Sequence, residues 1–181
     1  MKRSVLIILL LVLAVPCLAF GQAQAAQPPK PGPEQQKLKV YVGDWTYEGE
    51  THATPFGPAG KFMGKASVRA ILGGFFIEWH AEEKGTAGTT DWVEIDGYDP
   101  ITSRFTFYYF DNSGMIQTVS YTMEGTKLSF SGTQSLGGKQ TKVRGTSVFA
   151  ADLASWVERF ELSMDGRVWT PFWESRFTKV K

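Results

Sequence analysis

The chain has 181 residues, a formal net charge of +1, 14% aromatic residues and one cysteine, Cys17. Without a basic block it is a poor partner for nucleic acid, which demands clustered Lys and Arg. A single cysteine also excludes an internal disulfide, so packing must hold the fold.

At the N-terminus, Lys2 and Arg3 precede the apolar run Val5 to Leu13, Pro16 interrupts it, and Ala23-Gln24-Ala25 offers the small residues that signal peptidase reads. The expectation is a secretory signal peptide over residues 1–25, cleaved after Ala25, with the product exported to the periplasm or the medium; an uncleaved anchor is the rival reading. The run is too short for a comfortable membrane span and nothing later resembles a second one, so no integral membrane segment is expected after cleavage. Pro16, directly before Cys17, argues against lipidation of that cysteine. Cleavage would remove Cys17, and with Lys2 and Arg3 gone the net charge becomes −1.

Residues 26–33, with QPPKPGP over 27–33, form a Pro-rich linker, extended because proline suits neither helix nor sheet. The domain is expected over 34–181. It opens with a short helix over Glu34 to Val42, where Leu38, Tyr41 and Val42 fall at helical spacing after a proline. Beyond Gly43 the period becomes two. Strands are predicted from Trp45 and over 62–72, 75–83, 91–98, 104–111, 115–123, 127–131, 141–150, 156–164 and 168–180. Turn-forming pairs such as Gly73-Gly74, Asp99-Pro100, Glu124-Gly125 and Asp165-Gly166 separate them. About ten antiparallel strands in a meander predict an all-β, up-and-down closed barrel, because an open sheet of that size would leave two bare edges and an uncovered apolar face.

Gly43-Asp44-Trp45 fits the Gly-x-Trp that opens the first strand of lipocalin-like (calycin) barrels. The segments GPEQQKLKVYVGDW, RAILGGFFIEW, DGYDP and FDNSG, in that order, resemble an uncharacterised bacterial family of lipocalin-like domains of unknown function, with a barrel similar to those of nitrobindins and fatty-acid-binding proteins. The resemblance spans about Gly32 to Lys179. It implies that Arg176, in the last strand, lies over Trp45 and helps to close one end of the barrel. Nitrobindin-type barrels hold haem through a late histidine, and this chain has none after Val168, so no cofactor is expected.

Several residues invite chemistry. Glu78, His80 and Glu82 share one face of a strand and could ligate Zn or Cu, but the opposite face carries the large apolar groups, so this trio is expected to face water. His52 shares a face with Asp44, Glu48 and Glu50 and is read in the same way. Asp91, Asp96, Asp99 and Asp111 lack the spacing of a calcium loop; Asp99 and Asp111 read as turn formers. No metal site and no catalytic residue is assigned. Polar residues on apolar faces are more informative: Glu158 between Trp156 and Phe160, Tyr109 after Phe105 and Phe107, and Tyr121 with Val119 and Met123.

The expectation is a barrel that binds a small apolar or amphipathic molecule, lined by Trp79, Phe107, Tyr109, Tyr121, Glu158 and Phe160. Two alternatives stay open. One is a filled barrel serving as a structural or partner-binding module of the envelope, with Trp169 and Trp173 on either side of Pro171 as its surface. The other is an acid–base enzyme using Glu158, its carboxyl held neutral by apolar neighbours.

Overall fold

The structure, a computed structural model, describes residues 29–86, 88–136 and 138–180. The expected signal peptide and the first residues of the linker lie outside the described residues. Among those described, no helix is long and apolar enough to cross a membrane.

Ten strands form one sheet that closes on itself. They are β1 (Gly43–Thr51), β2 (Gly60–Ile71), β3 (Phe76–Gly85), β4 (Gly88–Asp99), β5 (Arg104–Asp111), β6 (Ile116–Glu124), β7 (Lys127–Leu136), β8 (Lys139–Phe149), β9 (Ser155–Ser163) and β10 (Thr170–Lys179). Each pairs antiparallel with its neighbour in sequence, and β1 also pairs with β10 from Trp45↔Lys179 to Thr51↔Trp173. No edge is left for another chain to extend. The sheet twists and closes because most strands alternate large apolar residues inward with polar ones outward, which gathers one set of side chains at the centre.

The predicted helix is split into α1 (Pro33–Lys37) and a 3-10 turn (Leu38–Val40). This segment plugs one end of the barrel with Leu38 and Tyr41, both buried. Trp45 is 1% exposed, and its indole N–H donates to the carbonyl of Tyr41 at 2.6 Å. The entry from plug to strand explains Gly43: its φ of 138° is open to glycine alone, and a Cβ there would meet Lys179 Cε at 2.8 Å.

The closing cation is Lys179, not Arg176. Lys179 Nζ lies 5.0 Å from the centre of the Trp45 ring. Arg176 is exposed, on the outer face across from Glu48, because it is an odd number of residues from Lys179 and side chains alternate along the strand. The resemblance was right about the element and wrong about the residue.

Trp169 and Trp173 do not form a joint outer patch. The register of β9 and β10 shifts between Pro171 and Trp173, a bulge that accommodates the proline and inverts the alternation. Trp173 turns inward to stack on Phe62 with ring centres 4.0 Å apart, while Trp169 packs against the Arg144 guanidinium at 4.3 Å.

On the outer wall His80 is 62% exposed, with Nε2 3.2 Å from Glu78 Oε2. No group of three or more His, Cys, Asp or Glu among the described residues could hold a metal ion. Asp99 accepts from the Ile101 N–H and the Thr102 hydroxyl, both at 2.8 Å, and Asp111 accepts from the Ser113 and Met115 N–H groups at 2.8 and 3.0 Å. Both act within their own turns.

Candidate functional site: an acidic, aromatic chamber

Between the plug and the opposite rim the centre is not filled. A cavity of about 130 Å³ remains, and all six residues singled out by alternation, Trp79, Phe107, Tyr109, Tyr121, Glu158 and Phe160, border it. Tyr41 of the plug forms part of its wall, with Trp92, Trp156, Trp173 and Phe177 from the surrounding strands. The rings interlock: Trp156 stacks on Phe177 at 4.4 Å and 6°, and meets Trp79 edge-on at 6.0 Å. Such a wall is stiff, because each ring is held by others in staggered contact.

The polar side of the chamber holds two residues that the sequence reading did not place there. β4 points Glu94 and Asp96 inward, Glu94 opposite Trp79 and Asp96 opposite Phe107. Asp96 is 4% exposed and accepts from the Trp79 indole N–H at 3.0 Å and from the Tyr121 hydroxyl at 2.8 Å. Burial pushes the Asp96 carboxyl up to about 6, against the bonds from Tyr121, Glu94 and Trp79 that favour its charged form. Burial also raises Glu94 well above the usual carboxylate range, and repulsion from Asp96 and Glu158 adds to it. Burial and these neighbours therefore favour the neutral form of Glu94.

Across the chamber, β9 contributes Glu158, whose Oε2 accepts from the Ser147 hydroxyl of β8 at 2.8 Å. Burial pushes Glu158 up to about 7, with the Ser147 bond opposing and Asp96 reinforcing the shift. Glu94 and Glu158 retain some exposed area, and since both border the cavity that area faces the chamber. A fourth carboxyl, Glu83, stands by Tyr47; burial moves it up to about 7. Tyr47 in turn accepts from the Trp92 indole N–H at 2.9 Å, tying this group to the chamber wall.

No Lys, Arg or His borders the cavity among the described residues. Toward the rim, Gln117 donates to Gln134 Oε1 at 3.0 Å, which leaves the amide nitrogen of Gln134, a residue only 2% exposed, without an acceptor. The Trp156 indole N–H lies beside Glu158 and favours its charged form. Buried donors are nearly always satisfied, and each orphan costs about 1–3 kcal/mol. The arrangement can hold several protons near neutral pH, and it presents acceptors and aromatic faces to an occupant.

The miss at Glu94 and Asp96 has a definite origin. The apolar members of the alternation in β4 are Val93 and Ile95, which point outward, so a reading by hydrophobicity favours the wrong face. Only Trp92 and Tyr98, on the same parity as the two acids, signal the true direction. The two acids that share the chamber with Glu158 come from another strand, so alternation within β9 does not reveal them.

No curated protein sequence matches the chain. Among solved structures, Rv2717c from M. tuberculosis superposes with a TM-score of 0.60 at 10% identity, covering 84% of this chain and 100% of that one. An S-type phycobiliprotein lyase from Guillardia theta superposes with a TM-score of 0.53 at 11% identity, covering 82% of this chain and 93% of its own. At these identities the likeness carries the fold alone: a lipocalin-like barrel. Residues 30–166 match the family described as protein of unknown function (DUF1579), and since that is most of the barrel, the chain belongs to this family of calycin-like domains.

Proposed function

We propose that the protein is an exported binding protein that encloses one small molecule in the chamber of its barrel. The observation that carries this reading is the cavity of about 130 Å³ ringed by aromatic side chains, with the orphaned amide nitrogen of Gln134 at its wall. A cavity of about 150 Å³ holds benzene, so the occupant has the bulk of a single ring rather than of a long-chain lipid. Burial of its apolar part against the rings supplies the affinity, at roughly 25 cal/mol per Å², and Glu158 or a chamber tyrosine orients a polar group.

The test is native mass spectrometry of the purified protein, followed by thermal melts against a panel of single-ring and amphipathic compounds. A bound molecule, or a rise in Tm with at least one compound that is lost in Phe160→Trp, is the expected result, since a ligand at 100 times its Kd adds about 2.7 kcal/mol. An empty protein that no compound stabilises returns the molecule to a structural role. Export is tested by sequencing the N-terminus of the protein recovered from the periplasm or medium: Ala26 is expected, and a chain beginning at Met1 and retained in the cytoplasm contradicts it.

Acid–base catalysis at Glu158 remains a second reading, favoured by the presence of Glu94 and Asp96 in the same chamber. It requires turnover that Glu158→Gln abolishes while the ligand still binds.

A further inference from the structure

Among the described residues, the chamber is lined by three carboxyl groups and no cationic side chain. Glu94 and Asp96 come from β4 and Glu158 from β9, so two sides of one small cavity converge on it with carboxyl groups. The rest of the wall is aromatic, and the π faces of Trp, Tyr and Phe favour a cation by about 0.5–2 kcal/mol each where water is excluded. Independently of the acids, the buried amide nitrogen of Gln134 has no acceptor. A packed structural core needs none of these features. Buried like charges destabilise it, and an orphan donor adds to the cost.

Resting on the reading of the barrel as a binding protein, we infer that its ligand is a small organic cation, an amine or quaternary ammonium compound of about ring size, held by Glu94, Asp96 and Glu158 within the aromatic wall. An oxygen on the same molecule would meet the Gln134 amide. A neutral ligand would leave the carboxyls holding their protons, and an anion would find no partner among them. The cation supplies the one partner that the chamber lacks.

Besides the three carboxyls, the titratable groups at the chamber are Tyr41 of the plug, Tyr109 of β5 and Tyr121 of β6. Glu83 of β3, Tyr47 of β1 and Asp111 at the end of β5 lie just behind that wall. The three chamber tyrosines are raised by burial and by these same carboxylates, and remain neutral through the physiological range. Only carboxyls therefore titrate between pH 5 and 8. A cation binds their ionised forms and displaces their protons, so its affinity rises with pH over that interval.

Matched probes separate charge from shape. Choline is compared with 3,3-dimethyl-1-butanol, its uncharged isostere, and benzylamine with benzyl alcohol, by calorimetry on the full-length mature protein. The expected result is at least about tenfold tighter binding of each cation than of its neutral partner. Choline, whose own charge does not titrate, should bind more tightly at pH 8 than at pH 5. Glu158→Gln, shown to be folded by its thermal melt, should weaken choline by about tenfold and weaken 3,3-dimethyl-1-butanol by much less. Equal affinities within each pair, or choline binding that is indifferent to pH and to Glu158→Gln, overturns the inference and leaves the binding barrel standing. If neither member of any pair binds and the wider panel also fails, the cation and the binding reading fall together.

Discussion

Asp96 is the residue on which the chamber's geometry turns. Its two oxygens are committed to the Trp79 indole and the Tyr121 hydroxyl, which fixes both rings in place. Asp96→Ala leaves two buried donors unpaired and should cost about 2–4 kcal/mol in urea denaturation, whereas Asp96→Asn keeps an acceptor for Trp79 and should cost about half as much or less. The raised carboxyls give a pH dependence whose sign is set by proton counting. Glu158 holds its proton to about 7 in the fold but loses it near 4.5 in the unfolded chain, so between those values the folded state binds more protons. Stability therefore falls as pH rises, by about 1.4 kcal/mol per pH unit for each such group. The urea midpoint of the ligand-free protein is expected to be lower at pH 8 than at pH 5, and Glu158→Gln should flatten that slope.

Among the elements, β10 carries the most information, because it both closes the sheet and contains the bulge. Its inward series ends on Lys179 over Trp45, while Arg176 belongs to the outer series. Lys179→Ala should therefore cost about 0.5–1 kcal/mol for the lost cation–π contact, and Arg176→Ala should stay within about 0.5 kcal/mol. Thermal melts of the two variants check the assignment; a larger effect at Arg176 than at Lys179 would reverse it. The bulge at Pro171 follows from the same logic of alternation. Proline cannot donate a ladder hydrogen bond, the register shifts past it, and Trp173 is delivered to the interior against Phe62. The plug works differently, since α1 is too short to be stable in isolation and persists because Leu38 and Tyr41 are buried under the barrel's end. Leu38→Ala should cost about 2–4 kcal/mol, read as a shift of the urea midpoint.

At the scale of the whole molecule, closure brings the first and last strands together, so the sheet is complete only when segments more than a hundred residues apart have met. Loop-closure entropy opposes that step, and refolding is expected in milliseconds to seconds, as for other all-β domains. Phe177 sits in the seam, stacked on Tyr47 at 4.6 Å and on Trp156 at 4.4 Å. Phe177→Ala should cost about 3–5 kcal/mol. Stopped-flow refolding faster than about 100 μs would contradict this account of closure.

The amino-acid sequence by itself determined the number of strands, their order, the meander and the need to close, because each follows from local period, turn residues and the cost of bare edges. Alternation alone also brought Trp79, Phe107, Tyr109, Tyr121, Glu158 and Phe160 to one wall, since in those strands the larger apolar groups share their parity. Tertiary structure alone decided the rest. It gave the closing role to Lys179 rather than Arg176, sent Trp173 inward past a bulge, and turned Glu94 and Asp96 into the chamber against the hydrophobic signal of Val93 and Ile95. The physical reason is that alternation defines two faces of a strand but does not say which is inside; register with neighbouring strands chooses, and in β4 that choice favours a set of polar groups whose bonds come from Trp79 and Tyr121 on other strands.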